Sequence, residues 1–175
     1  EEVNFQSAHS PGGENYGWRK MEGTRCYEPS TNCNDGTLKL PILEYAHAAG
    51  NCSVTGGYRY RGSRWSNLAG TYFYGDLCSG RIWGAKQSGV TWAANELLDT
   101  ALTITAFGED EAGEVYVVGF DSVNGALYRI ASTGGDSEII IDNAAVGVTD
   151  GSRSFSGTWC QSVASGFFGA DSLYS

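Results

Sequence analysis

Tyr72-Phe73-Tyr74-Gly75-Asp76-Leu77-Cys78-Ser79-Gly80-Arg81-Ile82-Trp83 is the stretch that decides the fold. Two short runs of aromatic and β-branched residues flank a turn containing glycine, the pattern of a β-hairpin. The pattern recurs where Val115-Tyr116-Val117-Val118-Gly119 runs through Asn124-Gly125 into Leu127-Tyr128-Arg129-Ile130. Gly80 and Gly125 are 45 positions apart, and so are Ile82 and Leu127. Strands repeating at this spacing have the length of a β-propeller blade, about 40–50 residues. The sequence predicts an all-β chain that forms a partial β-propeller of about two to three four-stranded blades.

Composition agrees. Glycine accounts for 25 of 175 residues and aromatics for 13%, a glycine content about twice the usual 7%. Only Trp92 to Thr100 carries a trace of helical period, and it is short. The net charge of −9 with 11 Lys and Arg argues against nucleic acid, whose phosphates require neutralisation, and against an anionic membrane surface. No apolar run approaches the ~18–20 residues of a membrane span. These features point to a secreted protein, extracellular or periplasmic.

Five cysteines stand at positions 26, 33, 52, 78 and 160, with no C-x-x-C pair to mark a zinc or redox motif. Cys26 and Cys33 flank a turn-rich segment and are placed to close a small loop. Cys52 precedes one strand candidate and Cys78 lies in the turn of the next hairpin. Disulfides Cys26–Cys33 and Cys52–Cys78 fit an oxidising compartment; buried free thiols are the alternative. Cys160 is left unpaired, its partner expected beyond this chain or on another one.

Further strands are expected at Glu1 to Phe5, which reads as a strand in progress, at Leu40 to Tyr45 as an edge strand bearing Pro41, at Val54 to Gly62, and at Leu102 to Phe107. In the third of these, Tyr58 and Tyr60 alternate with Arg59 and Arg61, the period of a half-buried strand. Gly108 to Glu114 reads as an acidic turn. Composition shifts after Ile130: residues 131–137 read as a linker, and a Gly/Ser/Ala-rich unit opens at Glu138.

Several motifs in order resemble one family: Glu2-Val3-Asn4-Phe5, Gly13 to Trp18, Glu22 to Cys26, Thr55-Gly56-Gly57-Tyr58-Arg59-Tyr60-Arg61-Gly62, Gly75 to Trp83, and Phe107 to Val117. Residues 1–130 resemble the C-terminal blades of the glucose/sorbosone dehydrogenase-like six-bladed propellers, the quinoprotein sugar dehydrogenases, in their hedgehog-interacting-protein-like branch. The resemblance implies pyrroloquinoline quinone (PQQ) and calcium over a central channel, and hydride transfer from a sugar or aldehyde carbon assisted by a histidine base. That histidine and an arginine-asparagine pair belong to blades before residue 1. Where the quinone-binding branch carries a cofactor-holding lysine, this chain has Cys78. Where that branch carries arginines, it has Asp99-Thr100-Ala101-Leu102-Thr103. A tricarboxylate cofactor needs cations, and these positions supply none. Residues 138–175 resemble the opening strands of a golvesin or xanthan-lyase-type β-sandwich, through Ile140-Ile141-Asp142-Asn143, Gly157-Thr158-Trp159 and Phe168 to Ser175. In that family a cysteine follows soon after, a partner for Cys160.

Individual side chains carry two readings each. His47 falls near a segment that lines the family's pocket, or bonds a neighbouring loop. With Tyr58 and Arg61 it makes the candidate pocket. Glu109, Asp110 and Glu111 are the candidate metal ligands, since calcium takes six to eight oxygens, or a solvated turn. Asp76 and Asp121 recur at the blade period and read as turn-formers bonding backbone N–H groups. Trp18, Trp65, Trp83, Trp92 and Tyr58 either stack on sugar rings or pack between blades. The expected roles are a fragment of a sugar dehydrogenase-like propeller with no catalysis of its own, or a non-catalytic module binding glycans or proteins. In both cases the remainder of the polypeptide or other chains complete the open β edges.

Overall fold

The computed structural model describes residues 1–120, 125–133 and 139–142. Among these there is no α-helix, and no helix is long and apolar enough to cross a membrane. The centre of the molecule is two consecutive four-stranded antiparallel sheets. The first holds β5 (Val54–Arg59), β6 (Tyr72–Asp76), β7 (Arg81–Ser88) and β8 (Thr91–Asp99), in that order. The second holds β9 (Thr103–Glu109), β10 (Val115–Phe120), β11 (Gly125–Ser132) and β12 (Ile139–Asp142), also in order. Each is a meander of the kind that makes a propeller blade. The repeated hairpins are β6–β7 and β10–β11, the middle strands of the two sheets.

Ahead of them lie short pieces: β1 (Glu2–Val3) pairs with β4 (Leu43–Glu44), and β2 (Met21–Glu22) pairs with β3 (Arg25–Cys26). The expected edge strand at Leu40 to Tyr45 is confined to β4, although Ile42 N and Tyr45 N donate to Val3 O and Glu1 O on either side of it. Proline at 41 has no N–H to extend this pairing.

Trp92 to Thr100 is not helical. It forms β8, and the misleading period has a physical cause. Ile82 pairs with Leu98 but Trp83 pairs with Glu96, so Leu97 is an extra residue in a bulge. The two-residue alternation breaks there. Trp92 and Ala94 pack on one side of the sheet, while Leu97 and Leu98 pack against the core on the other.

That core fills the space between the two sheets. Phe73 and Ile82 from the first, with Tyr60 just after β5, meet Ile104, Val115, Val117 and Ile130 from the second, all essentially inaccessible to water. Burying each such side chain is worth roughly 1.5–3 kcal/mol. A second cluster covers the opposite face of the first sheet, where Val3, Tyr74 and Ala85 gather Leu43, Tyr45, Trp83 and Trp92. The rings of Tyr45, Trp83, Tyr74 and Tyr72 form a stacked series with centroid separations of 5.1, 5.4 and 5.9 Å. Trp83 and Trp92 are therefore packing residues.

Ile139–Asp142, which composition assigned to the following unit, pairs with β11 as the outer strand of the second sheet. Part of the expected linker, Ala131 and Ser132, belongs to β11 itself. Asp121, Cys160 and the remainder of the sandwich-like segment lie outside the described residues.

Phe73→Ala, at the centre of the inter-sheet core, is expected to destabilise the chain by about 3–5 kcal/mol. Val90→Ala, at a position 95% exposed, is expected to change stability by less than about 0.5 kcal/mol. Denaturant unfolding of both variants checks this contrast.

Candidate functional site

The turn between β6 and β7 is built around one carboxylate. Asp76 ends β6 fully buried. Its Oδ1 accepts from the backbone N–H groups of Cys78 and Ser79, both at 2.9 Å. Its Oδ2 accepts from Tyr45 Oη at 2.8 Å and from the N–H groups of Cys52 and Ser53 at 3.0 and 2.9 Å. The Cys52–Cys78 disulfide ties the same two segments covalently. The turn closes at Gly80, with φ of 71°, where a Cβ would fall 2.3 Å from Thr100 O and 2.6 Å from Leu102 O. No side chain fits there.

Burial pushes the Asp76 carboxyl up, but the bonds from Ser79, Tyr45, Cys52 and Ser53 outweigh it and hold the group below its ordinary range. Tyr45 responds oppositely: burial, then its bond to Asp76, raise its phenol well above normal. Cys52, Asp76 and Cys78 bring three potential metal-ligating atoms within 4.8 Å of one another. Both sulfurs are spent in a disulfide, however, and zinc requires thiolates. The cluster is a covalent and hydrogen-bonded lock.

The candidate pocket residues are not gathered in one place. His47 is exposed, its Nε2 2.6 Å from Glu1 Oε1. It lines a groove of about 560 Å³ together with Glu22, Arg25, Tyr27 and Glu44, and neither Tyr58 nor Arg61 lines that groove. Tyr58 is half-buried against the inter-sheet core. Arg61 is exposed and ion-paired with Glu109.

The carboxylates proposed as metal ligands are divided as well. Glu109 holds Arg61. Asp110 Oδ1 accepts from the N–H groups of Ala112 and Glu114, and its Oδ2 from Tyr116 Oη at 3.0 Å. Glu111 is exposed at the turn. Among the described residues, no cluster of potential ligands forms at this turn.

The sequence reading missed Glu114. It is buried, accepting from Tyr60 Oη at 2.8 Å and Arg64 N at 3.2 Å, and so anchors the loop after β5 to the second sheet. Burial and this bond push the Tyr60 phenol up to about 12. Tyr60 just follows β5 and Glu114 just precedes β10, so a tyrosine and one carboxylate of an acidic turn gave no local signal of a contact between partners 54 residues apart.

Cys78, at the position where the resemblance implies a lysine in the quinone-binding branch, is bonded to Cys52, and its N–H donates to the Asp76 carboxylate. Arg81, next to the turn, faces Glu96 at 3.4 Å and Asn51 at 3.4 Å.

The chain is 37% identical over 86 residues to the HIPL2 protein of Arabidopsis thaliana, covering 43% of this chain and 12% of that protein. It is 32% identical over 87 residues to the HIPL1 protein of the same plant, with the same coverage. It is 36% identical over 96 residues to the Hedgehog-interacting protein of Homo sapiens, covering 46% of this chain and 14% of the relative. The chain thus spans only 12% to 14% of the length of these relatives. No family model and no solved structure matches it. Similarity to hedgehog-interacting-protein-like proteins, together with the two disulfides, agrees with an extracellular setting.

Asp76→Asn is expected to cost on the order of 3 kcal/mol, since five donors lose a charged acceptor. The depressed carboxyl stabilises the fold fully above about pH 4, the value of a free Asp, and that contribution is lost as pH falls through the lower folded value. As pH falls below about 4 the variant's stability should therefore drop less steeply than the parent's, as read from unfolding midpoints at a series of acidic pH values.

Proposed function

We propose that this chain is a segment of an extracellular β-propeller protein that works by recognition and carries no dehydrogenase chemistry. The observation that carries this reading is the Asp76 lock. A disulfide and an ionised carboxylate occupy the turn where a quinone-binding relative needs a cation, and anionic cofactors are not held against fixed negative charge. The similarity to proteins named for interaction with hedgehog supports partner recognition as the activity of the whole protein. The chain after Asp142, whose motifs resemble a golvesin-type domain, would extend this module.

A second reading, a PQQ-dependent sugar dehydrogenase, draws on the motif order from Thr55 to Trp83. Titration of the chain with PQQ and excess calcium, with dye-linked sugar oxidation by the longer protein, separates the two. Recognition predicts no saturable PQQ binding tighter than about 1 mM and no turnover. Saturable binding or sugar-dependent dye reduction would overturn it.

The proposal also places further chain, from the same polypeptide or from another, against the second sheet. Phe120, on the middle strand β10, is 49% exposed, and the open edges of a partial propeller recruit strands. Light scattering on residues 1–175 is expected to report self-association; a monodisperse, cooperatively melting monomer would contradict it.

A further inference from the structure

We propose that the paired rings of Trp18 and Tyr27, with the groove beside them, bind a neutral oligosaccharide. The other described tryptophans are packing residues. Trp83 is sandwiched by Tyr45 and Tyr74, and Trp92 packs on Phe5. Trp65 lies under Arg64 and Arg129 and against the inter-sheet core. Trp18 has no such burial. It is 74% exposed and stacks with Tyr27, itself 56% exposed, at a centroid separation of 5.6 Å and an interplanar angle of 26°. Large apolar rings held in water are costly, and this pair contributes nothing to the core.

The platform is rigid. Tyr27 N and Glu28 N both donate to Lys20 O, and Met21 N donates to Gly17 O. The Cys26–Cys33 disulfide closes the loop that contains Tyr27, and Met21, Leu38 and Cys33 form a small core in the same segment. The tip of the β2–β3 hairpin is fixed from below: Gly23 N donates to Glu2, and Thr24 N and Oγ1 both donate to Glu44. Trp and Tyr already lose little entropy on binding, and here that loss is smaller still.

Tyr27 joins the platform to the groove, whose volume of about 560 Å³ lies in the range of ligand sites, roughly 300–1,000 Å³. Glu22, Glu44, Arg25 and His47 line it. Carboxylates accept hydroxyl protons and guanidinium donates to hydroxyl oxygens, so flat rings beside these groups match the C–H faces and hydroxyl rims of a pyranose chain. The excess of carboxylates, in a chain of net charge −9, repels uronates and sulfated sugars. The ligand class is therefore a neutral glycan.

The proposal deepens the recognition reading and rests on it only for the extracellular setting. Isothermal titration of residues 1–175 with cellohexaose, chitohexaose, mannohexaose and laminarihexaose tests it, with oligogalacturonate as the charged control. At least one neutral hexaose is expected to bind, Trp18→Ala to weaken that binding by about tenfold or more, and Trp18→Phe to weaken it less. Because Trp18 is outside the core, the melting midpoint of Trp18→Ala should match the parent's. Failure of every neutral hexaose to bind at about 10 mM would overturn the proposal. So would binding that survives Trp18→Ala, or equal binding of oligogalacturonate. Saccharide failure without PQQ binding leaves recognition of some other partner standing. PQQ binding alongside saccharide binding overturns the recognition reading and leaves this site intact.

Discussion

The buried carboxylate of Asp76 is the constraint on which the arrangement of the first blade depends. An unpaired charge in that position would be prohibitive, so the surrounding chain must deliver donors to it. Five arrive, from the turn itself, from the segment entering β5 and from Tyr45. Their convergence fixes where β5 starts relative to β6, and the Cys52–Cys78 disulfide makes that placement covalent. A register error in β5 would strand the carboxylate and turn Tyr58 and Arg59 to the wrong faces.

From that anchor the constraint passes to the second blade. Thr55 Oγ1, one residue into β5, donates to Ile104 O of β9 at 2.9 Å. The glycine pair that follows sits in a bulge, where a Cβ on Gly57 would lie 1.7 Å from Phe73 O. Close backbone approach at this bulge lets β5 serve both β6 and β9. The Glu114 network repeats the strategy at the other end of β5, with a buried carboxylate drawing Tyr60 and Arg64 across to the second sheet. Apolar burial between the sheets supplies most of the stabilisation, and the two carboxylates set which arrangement it favours.

What was legible in the sequence was local. The hairpins could be read because β-branched and aromatic runs flank glycine-bearing turns, and in the first of them Gly80 meets two carbonyls that admit nothing larger. Asp76 could be read as a turn-former because its first two donors are two and three residues away. The rest depended on distant partners. Arg61, read as a pocket residue, and Glu109, read as a metal ligand, neutralise each other across 48 positions. The bulge at Leu97 imitated a helical period because the sequence does not print the pairing that creates it. The exposure of Trp18 likewise could not be separated from the burial of Trp83, since both are tryptophans near aromatic neighbours.

The turn at Leu77 to Gly80 shows why a resemblance in strand pattern does not carry chemistry with it. The hairpin needs an acceptor for its N–H groups and a glycine at its end, and Asp76 and Gly80 meet both needs. Position 78, one of the three residues between them, is free to be a cation or half of a disulfide without any change in the strands. Once Cys78 is bonded to Cys52, the local field is that of Asp76, and the turn becomes a fastening between segments. The proposed lack of a quinone site therefore turns on a few atoms at position 78, while the strands around them need not change.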